Sequence, residues 1–250
     1  MKKNLGEFEE EVTRNISEQG ADVELQEKSR EWINRVASHK YTYNFNWLGR
    51  PIIQLPQDIV AMHEIIWSIQ PDLIIETGIA HGGSLIFYAS MLELNAACGG
   101  PQDAEVLGVD IDIRAHNREA IESHPLFRRI SMIQGSSTAN EIVEQVKAKA
   151  GGKQRVLVCL DSNHTHEHVL AELEVYAPLT SLGSYCVVFD TVIDDMPASM
   201  FPDRPWGPGN NPKTAVREYL ETHPEFEIDK SVDHKLLISV APDGYLKRVS

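Results

Sequence analysis

From residue 72 onward, short runs of consecutive apolar residues alternate with longer stretches in which apolar positions recur every three or four residues. The runs are Asp72 to Glu76, Val106 to Asp110, Ile130 to Ile133, Val156 to Leu160 and Tyr185 to Phe189. The periodic stretches between them include Ala115 to Ser123, Thr138 to Ala150 and His166 to Tyr176. Strands buried on both faces lose the polar alternation of half-exposed ones, so this order predicts an α/β fold built on a doubly wound, mainly parallel sheet. Near the end, Phe226 to Asp229, Lys235 to Val240 and Tyr245 to Val249 follow one another too closely for crossover helices, which predicts an antiparallel strand pair at one sheet edge. Residues 1 to about 40 read as charged helix, with Phe8, Val12, Ile16, Trp32, Ile33 and Val36 as its spaced apolar positions. Tyr41 to Ile59, with its aromatics, Gly49, Pro51 and Pro56, reads as an ordered covering loop, and a helix is expected over Gln57 to Gln70. The expected division is a helical extension with its covering loop over 1–56 and a Rossmann-like domain over 57–250.

Composition narrows the class of ligand. A chain of 250 residues with 42% hydrophobic content buries a full core. No run approaches the roughly 18 to 20 apolar residues of a membrane helix, and Met1-Lys2-Lys3 leads into polar sequence, so a cytoplasmic protein without a membrane partner is expected. The net charge of −14 argues against nucleic acid and points to small molecules. Cys98, Cys159 and Cys186 are widely spaced, the last two within apolar runs, and read as reduced thiols. The amino-terminal extension suggests contacts between copies, hence a homo-oligomer.

The stretch DLIIETGIAHGGS, Asp72 to Ser84, carries the first chemical signal. Gly78, Gly82 and Gly83 fall between a strand and a helix opening at Ser84, where free N–H groups and a bare backbone admit a nucleotide-type ligand. His81 stands inside the turn, within reach of cofactor or acceptor. Glu76, Asp110, Asp161 and Asp190 all close strands, so in a parallel sheet they face one crevice. Asp110, on the second strand, suits a ribose diol. The spacing Gly-x-x-x-Gly-Gly departs from the dinucleotide pattern, which weakens the case for NAD.

A glutamate before such a turn, followed by an acid ending the next strand, resembles the class I S-adenosylmethionine-dependent methyltransferases. More narrowly, NFNWLGRPIIQLPQD, ETGIAHGGS, GVDIDIR, LDSNHTHEHV, VVFDT and RPWGPGNNP, together spanning about residues 41 to 215, resemble the cephalosporin hydroxylase family, related to rhamnosyl and other natural-product O-methyltransferases. The resemblance implies transfer of a methyl group from S-adenosylmethionine to a hydroxyl of a sugar or small natural product. It places Glu76, Gly78, Ser84 and Asp110 near the cofactor and Ser136 near its adenine.

The acceptor hydroxyl needs help losing its proton, which Mg²⁺ or a similar hard cation supplies when held by carboxylates. Asp161 and Asp190 are the candidate ligands, and the resemblance points to the same positions. Relatives often carry an acid immediately before the second of these, where this chain has Phe189; Thr191, Asp194, Asp195 or water are the available substitutes. His164 lies three residues after Asp161, where catechol-type O-methyltransferases have a lysine base; it is a candidate base, ligand or orienting group. His166 and His168 read as helix-surface residues. Phe201 to Pro212 reads as a lid offering Arg204 and Trp206 to the acceptor. Two other readings stand beside the enzyme: a cofactor-binding accessory protein without chemistry, and a metal-dependent hydroxylase using the histidine cluster.

Overall fold

The charged amino-terminal stretch forms two helices, α1 (Leu5–Ala21) and α2 (Val23–Ala37), in a computed structural model that describes residues 5–250. Met1, Lys2 and Lys3 lie outside the described residues. Asp22 separates the helices by capping the second, its carboxylate accepting the Leu25 N–H at 3.0 Å. The covering loop contains more order than its sequence suggests. Strands β1 (Phe45–Trp47) and β2 (Arg50–Ile52) pair as a hairpin whose turn residues, Leu48 and Gly49, both have positive φ (45° and 87°). That is the backbone hand of a tight hairpin turn, and three-residue strands are too short to show periodicity. Helix α3 (Pro56–Ile69) follows, with proline in its first turn where no N–H partner is lost.

The alternating region folds as β3 (Leu73–Thr77), α4 (Gly83–Ala97), β4 (Glu105–Asp110), α5 (Ala115–Glu122), β5 (Ile130–Gln134), α6 (Asn140–Ala150), β6 (Val156–Leu160), α7 (His166–Tyr176) and β7 (Tyr185–Val188). The chain closes with α8 (Pro212–Thr222), β8 (Phe226–Ile228), α9 (Lys230–Leu236) and β9 (Tyr245–Arg248). The seven-stranded sheet has the order β5-β4-β3-β6-β7-β9-β8, parallel through β7 and antiparallel over β9 and β8. The doubly wound sheet and its antiparallel edge are those the hydrophobic pattern predicts.

Alternate residues of each strand feed two cores. Ile74, Val106, Leu157, Cys159 and Val187 face one core with α3 and α4, while Leu73, Ile75, Leu107, Val158, Cys186 and Val188 face the other with α6, α7 and α8. Phe189, just past β7, joins the first core at 1% exposure.

The Lys235 to Val240 expectation is corrected: this segment is the end of α9 and an irregular return, not a strand. Asp229 caps α9 through the Ser231 N–H, and Val232 and Leu236, one helical turn apart, pack on the first core. The Val240 N–H then goes to the Asp58 carboxylate of α3 instead of to a neighbouring strand. Helix α1 packs against α9, which places the amino-terminal extension beside this return.

Candidate active site

The first strand to the left and right of β3 are β4 and β6, so the strand order reverses beside β3 and opens a crevice at the carboxyl ends. Gly78 sits at that point with φ +90°, and a Cβ there would lie 2.0 Å from the Asp161 carbonyl oxygen on the next strand's exit. Only glycine lets the two strand ends approach so closely. Gly83 is constrained in the same way by the Pro51 carbonyl, 2.0 Å from where its Cβ would stand. The covering hairpin therefore rests directly on the start of α4.

Asp110 braces the glycine turn. Its Oδ2 accepts the Ile79 N–H at 2.7 Å, and its Oδ1 accepts from Asp112 at 2.9 Å. Two residues outside the sequence expectations complete the turn: Arg50 donates to the His81 carbonyl and to Asn117 Oδ1, and Asn117 donates to the Ala80 carbonyl. Arg50 lies in β2 and Asn117 in the first turn of α5, 67 residues apart, so only the folded chain reveals that they meet. Glu76 lies within β3 and is fully buried; Thr77 ends the strand. Ser84 donates to Glu76 Oε2 at 2.7 Å, yet burial outweighs that hydrogen bond and pushes the carboxyl up to about 8. Ser136 lies past β5, its hydroxyl 3.2 Å from that of Thr138. It is two strands away from β3, on the side of Asp110.

Beyond β6 and β7, Asp161, His164 and Asp190 offer ligand atoms that all lie within 4.8 Å of one another. His164 Nε2 is 3.1 Å from Asp190 Oδ2. Burial, then the Asp190, Glu76 and Glu172 carboxylates, push the Asp161 carboxyl well above its ordinary range. A bound divalent cation reverses that repulsion, and two carboxylates with one imidazole form a donor set that such an ion accepts. Asp190 holds a left-handed backbone (φ 57°), which turns the chain sharply after β7.

The residues available to replace the missing acid at Phe189 are otherwise engaged. Thr191 donates to the Pro242 carbonyl, Asp194 accepts from Gly209, Asn211 and Arg217, and Asp195 pairs with Lys213. His164 is the third member of the cluster instead. His166 and His168 are not simple surface residues: His166 meets Thr214 and Glu218, and His168 meets Ser137, Ser162 and Glu172. Neither belongs to the cluster, which contains one histidine and two carboxylates, unlike the two-histidine, one-carboxylate set of iron oxygenases.

Residues 201–211 are irregular and cross the crevice. Asp194 anchors them through the Gly209 N–H at 3.0 Å and Asn211 Nδ2 at 2.8 Å. Trp206 meets the His164 ring edge-on, with centroids 4.9 Å apart, and the Arg204 guanidinium lies 5.1 Å from the Trp206 ring centre. A cavity of about 540 Å³ joins the glycine turn, Ser84, Asp161, His164 and Asp190 to Arg204, Trp206 and the covering loop.

Residues 39–249 match the family model described as Rhamnosyl O-methyltransferase/CmcI. The chain belongs to this family. It is 31% identical over 221 residues to the rhamnosyl O-methyltransferase of Mycobacterium tuberculosis (strain ATCC 25618 / H37Rv), covering 84% of this chain and 83% of that one. The Mycobacterium leprae (strain TN) rhamnosyl O-methyltransferase is 31% identical over 219 residues, covering 84% and 88%. Among solved structures, the CmcI-N160 apo-structure superposes with a TM-score of 0.58 at 19% identity, over 83% of this chain and 77% of that one. The cmcI-D160 Mg-SAM structure gives 0.57 at 19%, over 83% and 78%, so the fold is shared with that protein. This chain is thus an S-adenosylmethionine-dependent O-methyltransferase, and among the described residues of this methyltransferase no helix is long and apolar enough to cross a membrane.

Proposed function

We propose that this methyltransferase transfers its methyl group to a hydroxyl of a sugar or small natural product, with Asp161 and Asp190 holding a divalent cation beside the acceptor oxygen. The observation that carries the proposal is the Asp161–His164–Asp190 cluster opening into the same cavity as the glycine turn. The rhamnosyl acceptor named for the mycobacterial relatives and the Mg-SAM state of the CmcI relative support both halves of it.

Transfer needs the acceptor oxygen aligned behind the sulfonium methyl and relieved of its proton. When bound, the cation supplies acidification of the hydroxyl and stabilisation of the developing alkoxide. With Nε2–H donating to Asp190, His164 keeps its lone pair on Nδ1, and that atom takes the acceptor proton while Asp190 stabilises the imidazolium. Trp206 holds the imidazole plane, and Arg204 stacked on it closes the acceptor side against water. Glu76, Gly78, His81, Ser84 and Asp110 hold the methionine and ribose portions of the donor, and Ser136 lies by its adenine.

Binding and chemistry should separate. Asp161→Ala and Asp190→Ala are expected to abolish turnover on rhamnosyl or macrolide-like acceptors while keeping S-adenosylhomocysteine affinity, measured by calorimetry, within about two-fold. Asp110→Ala should weaken that affinity by about 1–3 kcal/mol, through both the ribose contact and the loosened turn. His164→Ala should slow transfer and recover part of the rate in alkaline buffer. Full activity of metal-stripped enzyme in EDTA would remove the cation from the proposal.

A further inference from the structure

The buried positions of α7 are Val169, Glu172, Leu173 and Tyr176, spaced as one face of a helix, and the second of them is an acid. Glu172 has no exposed surface. Among the described residues its Oε1 meets the Ser162 hydroxyl at 2.7 Å and His168 Nε2 at 3.3 Å, its Oε2 has no hydrogen-bond partner, and no lysine or arginine pairs with it. A carboxylate taken out of water with partners on one oxygen only opposes folding, so the packing of α7 does not account for it. Ser162 follows Asp161 directly at the exit of β6 and lines the crevice cavity. Its hydroxyl is also 3.1 Å from His168 Nε2, which reaches the Ser137 hydroxyl past β5 at 3.2 Å. Glu172 is thereby fixed behind the Asp161 end of the acidic cluster, and its charge is felt there, since it is one of the carboxylates that push Asp161 upward.

We infer that Glu172 is a positioning residue of the cation site, its buried charge, held against Ser162, strengthening the grip of Asp161 and Asp190 on a divalent ion. The inference rests on the cation reading above and adds to it a residue that acts through Ser162 and Asp161. Two carboxylates and a neutral imidazole match the charge of a divalent ion without surplus; a third carboxylate behind them leaves the site net negative. In the empty site these acids repel one another, and one ion relieves all of them at once. Burial keeps the Glu172 charge from being screened by water and salt, so its pull on the ion is stronger than that of an acid on the surface.

The test is titration of the full-length protein with Mn²⁺, read by the spin-resonance signal of the ion, beside calorimetry with S-adenosylhomocysteine. Glu172→Gln keeps the shape of the side chain and an acceptor for Ser162 but removes the charge. It is expected to weaken Mn²⁺ roughly ten-fold and to leave S-adenosylhomocysteine within about two-fold. Glu172→Asp keeps the charge on a shorter arm and should hold Mn²⁺ close to the wild-type affinity, a rescue that a purely structural role would not give. Glu172→Met, uncharged and of similar volume, takes the place of the glutamine variant if that one fails to fold. Unchanged Mn²⁺ affinity without the charge overturns the inference. Parallel loss of Mn²⁺ and S-adenosylhomocysteine also overturns it, as does an aspartate variant as weak as the glutamine one, because the role is then one of packing. A wild type that binds S-adenosylhomocysteine but no Mn²⁺ strikes the cation reading itself.

Discussion

Glu76 sits inside a parallel strand with no exposed surface and accepts a hydrogen bond from the Ser84 hydroxyl. Its carboxyl rises from the ordinary 4.5 to about 8, so between those values the folded protein holds a proton that the unfolded chain releases. Stability of the ligand-free protein therefore falls as pH rises through that window and levels off above it, by an amount on the order of a few kcal/mol. Asp58 and Asp233, each raised by burial to about 6, add the same sign at lower pH, and Asp161, raised by burial and by the neighbouring carboxylates, acts in the same direction. Thermal denaturation between pH 6 and pH 8 should show a declining midpoint in the wild type and a flatter one in Glu76→Gln. A variant profile that parallels the wild type would mean that Glu76 is ionised in the fold. The sequence showed which acids converge, because strand-closing acids in a parallel sheet must share one end. It did not show that Phe189 turns into the core or that His164 takes the third place in the cluster, since both depend on how the chain bends after β6 and β7.

Among the elements, α3 is coupled to the acidic-cluster side of the crevice through one residue. Asp58, in its first turn, accepts from the Ser239 hydroxyl, the Val240 N–H and the Tyr245 hydroxyl. The same return then holds the Asp190 turn: Val240 accepts the Val192 N–H at 3.2 Å, and Pro242 accepts the Thr191 hydroxyl at 2.7 Å. Asp58→Ala leaves three buried donors unmet and should cost roughly 3 kcal/mol or more by chemical denaturation. It should also weaken Mn²⁺ affinity several-fold, read by titration at a temperature where the variant is fully folded, while S-adenosylhomocysteine affinity holds. Equal Mn²⁺ affinity in variant and wild type would confine Asp58 to a stabilising role. This coupling also explains the misread segment: Leu236-Leu237-Ile238-Ser239-Val240 has strand composition, but its backbone finds partners in α3 and the Asp190 turn, so tertiary hydrogen bonds override the local pattern.

At the scale of the molecule, the crevice gathers the glycine turn, the acidic cluster and the segment over residues 201–211 into one cavity, so ligands bound there stabilise the folded state by mass action. S-adenosylhomocysteine at about 100 times its Kd adds about 2.7 kcal/mol. For a chain of this size that corresponds to a midpoint increase of roughly 5–10 °C. Mg²⁺ should give a further increase that Asp161→Ala removes, leaving the S-adenosylhomocysteine increase in place. Loss of both increases in that variant would mean that Asp161 supports the donor site as well.

The sequence by itself determined the layered sheet, its antiparallel edge and the end of the sheet where ligands gather, because apolar periodicity dictates burial and parallel connectivity dictates which strand ends converge. It also marked Gly78 and Gly83 as a bare stretch of backbone open to a ligand, but that the Asp161 and Pro51 carbonyls pack against these two positions was decided by the fold. Tertiary structure alone decided what fills the remaining positions. Whether a polar side chain is partnered depends on residues distant in the chain: Arg50 found the glycine turn, Asp58 found the carboxyl-terminal return, and Gln54 was left buried and unpaired over the start of α4. Local sequence carries no record of such distances, since they arise only when separately coded elements pack together.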